Sequence, residues 1–296
     1  MREGLITTTV GSYPAKPPKK ELLKKLRGND PYLKSIKEAI RDQIRAGVDI
    51  ISDGQTRGDM ISSIASKLDG IEGDKIKWDV RHKGDITTKD YLQAEMFAEG
   101  RALVKGILTG PFTLASYLKN EHYKDPRELI LDIAGALADE VKRLCTAGAP
   151  LIQIDEPIFS SGFETALAKE ALDKIYGASQ APLALHVCGD VSPAYPELLE
   201  IPCDILDHEF THHPRLLDIL EEYNFDKRVG YGCVDTQSNK IEAVDTIRAR
   251  IERALEYFDE KDLLIDPDCG MRNLRKSSAF GKLKNMCDAV KAIKGE

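Results

Sequence analysis

Eight short runs of apolar, largely β-branched residues recur along the chain, and helix-length segments separate most of them. This alternation is typical of parallel strands that are buried on both faces and joined by helical crossovers. The runs occupy residues 5–10, 49–53, 106–109, 151–155, 183–187, 204–208, 229–233 and 263–266. Eight strands, each followed by a helix, form a closed (β/α)8 barrel, which takes roughly 250 residues. We therefore predict an α/β fold, a single (β/α)8 TIM barrel over residues 1–296.

The first turn distinguishes the barrel from an open sheet, and the connections after strands 1 and 2 have features of their own. A doubly wound open sheet shows the same alternation, but it usually has a glycine-rich first turn, and neither GxGxxG nor GxxxxGK[ST] occurs here. The segment 58–89 is longer than a plain strand-to-helix connection, so we expect an insertion after strand 2 with a helix and a hairpin or lid. The basic segment 16–27 is interpreted as a solvated helix start, with contact to a phosphate or an acidic protein as the alternative.

The charge of the chain and its apolar runs exclude several classes of function. With 42 Lys and Arg against 49 Asp and Glu, the formal net charge is −7, which gives no cationic field to attract nucleic acid. No run resembles a signal peptide or a membrane span of about 18 apolar residues. We therefore expect a cytoplasmic protein without nucleic-acid or membrane partners. The 6 cysteines contain no CxxC pair, so we expect reduced thiols and no zinc ribbon.

Polar residues that end the predicted strands are candidate functional groups, because barrel enzymes carry their chemistry at the C-terminal ends of the strands. His186 and Cys188 are two positions apart, so their side chains point to the same side of strand 5. Glu209 at the end of strand 6 and Cys269 after strand 8 fall on the same rim. Imidazole, thiolate and carboxylate together suit Zn²⁺, and two thiolates argue against Mg²⁺ or Ca²⁺. Taken alone, the HxC motif favours a buried histidine beside a buried cysteine, and Glu209 and Cys269 on the same rim turn the preference to a metal site.

The motifs at the strand ends, taken together, resemble a known family over nearly the whole chain. They are TTTVGSYP at 7–14, SDGQTRGDM at 52–60, LTGPFT at 108–113, IQIDEP at 152–157, HVC at 186–188, DILDHE at 204–209, GYGCVDTQ at 230–237 and DPDCG at 266–270. In this order they are similar to the C-terminal catalytic barrel of cobalamin-independent methionine synthase. The resemblance extends to short archaeal and bacterial relatives that consist of the barrel alone.

The resemblance implies a thiol methyltransferase that converts homocysteine to methionine. It makes His186, Cys188, Glu209 and Cys269 zinc ligands, the same four residues that the strand ends indicate. It also implies an amino-acid pocket with a set of residues from strands 1 and 2 and from strand 4: Val10, Gly11, Ser12, Gln55 and Asp155. Asp155 would receive the substrate ammonium, which suits a carboxylate in a partly desolvated cleft. A structural hydrogen bond to a neighbouring loop is the alternative role for Asp155.

Three departures from the family pattern bear on the methyl donor. Gln55 replaces a glutamate that faces the substrate amine, and Gln237 replaces a histidine that acts as proton donor. The separate N-terminal domain that helps to hold a polyglutamylated folate is not expected. Because an amide cannot supply a proton at a useful pKa, and because cobalt leaves as Co(I) without one, Gln237 favours a methylcorrinoid as donor. We therefore expect a methylated corrinoid protein as partner, with a pterin donor as the alternative.

Other functions remain open at this point. A zinc-dependent transferase acting on another thiol, such as coenzyme M, would use the same ligands, and Gln55 gives this alternative some weight. A metal-binding subunit that docks a corrinoid protein without turnover would not need the amino-acid pocket of Ser12 and Asp155. A barrel similar to uroporphyrinogen decarboxylase would need basic residues for several carboxylates, which these strand ends lack.

Overall fold

The computed structural model describes residues 4–17, 30–223 and 226–295. From residue 18 onward, the basic segment 16–27 therefore lies outside the described residues. Within the described ranges, no helix is both long and apolar enough to cross a membrane.

The strands form a closed parallel barrel at eight positions, with a small separate sheet beside it. The strands are β1 Ile6–Thr7, β2 Ile50–Ile51, β3 Leu68–Glu72, β4 Lys75–His82, β5 Leu103–Val104, β6 Gly106–Thr109, β7 Lys119–Asn120, β8 Ile152–Asp155, β9 Leu183–Val187, β10 Ile205–Glu209, β11 Arg228–Val234 and β12 Leu263–Pro267. In the main sheet the order is β1-β12-β11-β10-β9-β8-β6, while β2 pairs with β5 and a bridge from Thr8 to Ile50 joins β1 to β2. The third barrel position is split at Lys105 into β5 and β6. The predicted (β/α)8 barrel is confirmed, and all eight apolar runs contribute a strand.

The helices surround the barrel and bury one apolar face each. In the described residues they are α1 Leu33–Ala46, α2 Ser62–Ala65, α3 Thr88–Ala98, α4 Pro111–Tyr117, α5 Pro126–Thr146, α6 Thr165–Tyr176, α7 Tyr195–Leu199, α8 Leu216–Glu221, α9 Val244–Ala254 and α10 Lys276–Lys294. The longest, α5, starts where Asp125 accepts a hydrogen bond from the Arg127 N–H and Pro126 occupies the first turn. Its buried residues repeat at helical spacing, so one face packs on the barrel.

The apolar core has two parts. A small cluster fills the N-terminal end of the barrel, and it consists of Ile6, Ile50, Leu151, Ala184, Ile205 and Leu264. A much larger cluster lies between the strands and the helices. Because the interior near the C-terminal strand ends is instead lined by buried polar residues such as Asp155, His186 and Asp207, this end is available for chemistry.

The predicted insertion after strand 2 is present. It contains α2 and the antiparallel hairpin of β3 and β4, and β4 also pairs with β7. The C-terminal end of the insertion is fixed by Glu140 of α5, whose side chain is fully buried. Glu140 Oε1 accepts hydrogen bonds from the N–H groups of Ile86, Thr87 and Thr88 at 3.0, 2.6 and 2.7 Å. Its Oε2 lies 2.9 Å from His82 Nε2. One carboxylate thus attaches the hairpin and the start of α3 to the barrel.

Candidate metal and substrate site

Three predicted ligands meet at the C-terminal ends of β9 and β12. His186 Nε2 lies 2.9 Å from Cys188 Sγ, and Cys188 Sγ lies 3.0 Å from Cys269 Sγ. The ligand atoms of these three residues all lie within 4.8 Å of one another. His186 is buried in β9, and the two half-buried cysteines follow β9 and β12 directly. One nitrogen and two sulfur donors converging at this spacing suit Zn²⁺.

The orientation of His186 is set from inside the barrel. His186 and Asp207 are register partners on β9 and β10, and Asp207 Oδ2 lies 3.1 Å from His186 Nδ1. Burial and the negative charge of Asp207 raise the pKa of Asp266 well above its usual range. Of the two carboxyl groups, Asp207 and Asp266, Asp207 is therefore the one that favours the charged form. A carboxylate on one ring nitrogen leaves the other, Nε2, directed at the cysteines, as in metal sites generally.

The two thiols are electrostatically unequal. The hydrogen bond between them lowers the pKa of Cys269 well below its usual value, and His186 lowers it further. The same bond and burial raise the pKa of Cys188. This environment therefore favours the thiolate form on Cys269, which is the form that binds metals.

Glu209 lies at the edge of this group. It ends β10 on the same rim, and burial together with the charge of Cys269 raises its pKa. Among the described residues, however, the group within 4.8 Å contains only His186, Cys188 and Cys269. The structure thus brings Glu209 near the cluster without placing its carboxylate in it.

Asp155 ends β8 and is held by Gln153 from the same strand. Gln153 Nε2 donates to Asp155 Oδ1 at 2.6 Å and to the carbonyl of Val10 at 2.8 Å. Lys105 Nζ donates to Gln153 Oε1 at 2.5 Å, which fixes the orientation of the amide. Burial raises the pKa of Asp155 to about 6, although the positive charge of His186 opposes the shift. The carboxylate is thus fixed through Oδ1, and Gln153 leaves Oδ2 for a ligand.

Close backbone contacts shape the opposite side of the cleft. A Cβ on Gly11 would lie 2.8 Å from Gln55 Oε1, so glycine is required for the Gln55 side chain to lie there. Gln55 itself has φ 44°, an uncommon value for a residue with a side chain. Its N–H donates to Asp53 Oδ1 at 3.0 Å, and its carbonyl accepts from Arg272 Nη2 at 2.6 Å. These bonds hold the strained turn.

One cleft of about 280 Å³ joins the two sides. Among its lining residues are seven of the ten predicted site residues, namely Val10, Ser12, Gln55, Asp155, His186, Cys188 and Cys269. Gly11 lies against Gln55, whereas Glu209 and Gln237 are not in the lining. Sequence reasoning missed Arg272 and Asn273, which also line the cleft. Because they lie three and four residues after Cys269 in the loop that follows β12, the rule that polar residues after a barrel strand are candidates would have found them.

The side chain of Gln237 is exposed, and the residue contacts Asp235 through its backbone. Its N–H donates to Asp235 Oδ1 at 2.7 Å. The same oxygen lies 3.0 Å from Nε2 of His212, in the loop after β10. A histidine that the motifs did not single out therefore stands beside position 237.

Comparisons with known proteins agree over almost the whole chain. The family described as "Cobalamin-independent synthase, Catalytic domain" matches residues 5–292. The methionine synthases of Methanothermobacter marburgensis and Methanocaldococcus jannaschii are each 42% identical to this chain, covering 97% and 98% of it and 99% and 100% of those proteins. The structure of a B12-independent methionine synthase from Shewanella sp. W3-18-1, in complex with selenomethionine, has a TM-score of 0.85 at 24% identity, covering 99% of this chain and 98% of that one.

The expected methylcorrinoid donor and the expected methylated corrinoid-protein partner are wrong. The matching family is cobalamin-independent. The expectation rested on the amide of Gln237 alone and took no account of side chains that reach this strand end from other loops. His212, from a neighbouring loop, shares Asp235 with Gln237. A local motif could not reveal it.

Proposed function

The chain belongs to the family of cobalamin-independent synthase catalytic domains, and on that premise we propose that it is a methionine synthase transferring a methyl group from a reduced pterin to the thiol of homocysteine. One observation carries the proposal: the nitrogen and sulfur cluster and the carboxylate of Asp155 line the same cleft. Homocysteine carries a thiol that would bind near the cluster and an amino group that would bind near Asp155.

The metal end of this proposal uses His186, Cys188 and Cys269 as zinc ligands, with Glu209 as a displaceable fourth on the same rim. When bound, Zn²⁺ lowers the pKa of a thiol so that it is a nucleophilic thiolate at neutral pH. Asp207 holds the ring of His186, and the barrel strands hold the spacing. The protein's part is thus to keep the donors in place and to exclude competing ligands.

The amino-acid end uses Asp155 with Val10, Gly11, Ser12 and Gln55. Asp155 would receive the ammonium group through the oxygen that Gln153 does not occupy. Because Asp155 is buried, an ammonium ion bound there loses little of its attraction to water screening. Gln55 offers an amide oxygen without a charge, so the ammonium would be held by a single carboxylate.

The test is methionine formation by zinc-loaded protein with homocysteine and methyltetrahydrofolate. We expect turnover with this donor and none without zinc. Replacing homocysteine by 4-mercaptobutyrate, which lacks only the amino group, should raise KM strongly. Methionine formation from a corrinoid donor but from no reduced pterin would overturn the proposed donor.

A second acceptor is favoured by one observation, the uncharged Gln55 at the amine side. A transferase for a thiol without an amino group, such as coenzyme M, would not need a second carboxylate there. Equal kcat/KM for coenzyme M and homocysteine would support this alternative.

A further inference from the structure

At the end of β11, the carboxylate of Asp235 meets the imidazole of His212 from the loop after β10, and the function above uses neither group. Asp235 Oδ1 lies 3.0 Å from Nε2 of His212 and accepts the Gln237 N–H at 2.7 Å. Asp268 Oδ2 lies 3.7 Å from the same imidazole nitrogen. The loop after β10 is fixed as well, because the N–H of Thr211 donates to Asp268 Oδ1 at 3.0 Å.

This pair lies on the same rim as the metal cluster. His212 is three residues after Glu209, and its neighbour Asp268 directly precedes Cys269. The imidazole is 31% exposed, so a molecule that approaches this rim from solvent can reach it. The hydrogen bonds on this rim thus tie the imidazole to the ends of both β11 and β12.

The backbone at Asp235 is held by a buried network. The backbone N–H of Asp235 donates to Glu242 Oε1 at 3.0 Å. Glu242 is paired with Lys282, whose side chain is fully buried, at 2.6 Å and with Arg250 at 2.8 Å. A fixed carboxylate on Nε2 leaves Nδ1 as the imidazole nitrogen that can transfer a proton, which is the arrangement used by general acids elsewhere.

The proposed reaction needs such a group. A methyl group on the nitrogen of a reduced pterin leaves well only if that nitrogen is protonated. The thiolate sulfur then forms a bond to the methyl carbon while the carbon–nitrogen bond breaks, and the nitrogen keeps the electron pair and its proton. Without protonation the leaving group would be an amide anion. An imidazolium can supply this proton near neutral pH and recover it from water.

We propose that His212, held by Asp235, is the proton donor to the pterin nitrogen; this rests on the function proposed above. The charged groups that face the imidazole are Asp235 and Asp268. Lys282 interacts electrostatically with Asp235, and Glu209 and Arg250 interact electrostatically with Asp268. Gln237 contributes its backbone N–H and no proton.

The test compares two methyl donors in His212→Gln. With methyltetrahydrofolate, kcat should fall by about a hundredfold or more. With methyl iodide, whose leaving group needs no proton, methylation of bound homocysteine should change by less than about twofold. His122→Gln is the matched control, because His122 Nε2 lies 2.8 Å from Asp79 Oδ1 on the distant hairpin and is 37% exposed. It should leave both rates unchanged.

A second variant separates proton transfer from structure. Asp235→Asn should lower kcat with the pterin donor but change methylation by methyl iodide by less than about twofold, because the imidazole loses the carboxylate that holds it. Gln237→Ala should alter kcat by less than about tenfold. If wild type turns over methyltetrahydrofolate and His212→Gln does so within about threefold, the role of His212 is refuted. If wild type uses no reduced pterin, the proposed function and the role of His212 fail together.

Discussion

His186, Cys188 and Cys269 belong to one wall of the cleft, the strand wall, whereas the segment 52–60 forms the facing loop wall. The strand wall is part of a closed sheet, and register pairs from β8 to β12 fix the distances within it. The loop wall is held by a few charged hydrogen bonds. Arg57 pairs with Asp30 and Asp90, each at 2.6 Å, and Arg272 donates to the carbonyls of Gln55 and Gly58.

This difference separates two tasks. Chemistry at a metal needs donor atoms at fixed spacings, which a barrel supplies through many cooperative hydrogen bonds. Recognition of the substrate can be adjusted on loops without disturbing the sheet. We therefore expect substitutions in the strand wall to abolish the reaction and those in the loop wall to change affinity or stability.

The largest expected effect is in the strand wall. Cys269→Ser should lose zinc and reduce methionine formation on the order of a thousandfold or more, because it removes a thiolate ligand. Metal analysis and turnover measure both losses. Cys145→Ser is the control, since Cys145 is a half-buried cysteine of α5 outside the cluster. A zinc-loaded, active Cys269→Ser protein would refute the ligand assignment.

The next largest effect concerns the attachment of the insertion next to the loop wall. Glu140→Ala should lower the free energy of unfolding by about 3 kcal/mol, because it leaves several buried N–H groups without an acceptor. Glu140→Gln keeps one oxygen for these donors and should cost about half as much. Denaturant unfolding at neutral pH measures both changes, and equal stability of all three proteins would contradict the proposed anchor.

The same residue predicts a pH dependence. Burial opposes ionisation of Glu140, but hydrogen bonds from His82, Thr87 and Thr88 outweigh it and lower the pKa. Because the folded pKa lies below the unfolded value of about 4.3, the charge stabilises the fold above that pH. This contribution is lost as the pH falls through the folded pKa. The stability difference between wild type and Glu140→Gln should therefore shrink below about pH 4.

A smaller effect is expected at Asp155, where both walls of the cleft would contact the substrate. Asp155→Asn should raise KM for homocysteine by about 10- to 100-fold, because the complex loses the free energy of one charge-assisted hydrogen bond. Zinc binding should not change. With 4-mercaptobutyrate, wild type and variant should have similar KM values. If KM for both thiols rises equally, Asp155 serves the fold of the pocket and not the ammonium group.

The smallest effect belongs to the loop wall alone. Gln55→Glu should lower KM for homocysteine by less than about tenfold, because a partly exposed carboxylate adds a screened attraction to the ammonium. Combining it with Asp155→Asn in a double-mutant cycle measures whether the two side chains face one group. Strict additivity would place Gln55 outside the ammonium site.

The sequence by itself determined the strands, the fold class and the residue types at the rim. The apolar runs and their spacing are local properties, so all eight barrel strands could be located, and in the part of the chain that the structure describes only β5 adds a barrel segment outside these runs. The HxC spacing and the position of Cys269 after a strand likewise follow from one-dimensional order. The role of these residues as zinc ligands stays a prediction.

Only the tertiary structure decided which side chains meet across strands. Lys105 reaches Gln153 on the neighbouring strand, and Arg272 reaches back to Gln55, over separations that no local pattern encodes. His212 reaches Asp235 because the loop after β10 folds toward β11, while Gln237 turns its side chain to solvent. The physical reason is that strand periodicity fixes which face a residue occupies, whereas loop paths and packing fix which distant residue it contacts.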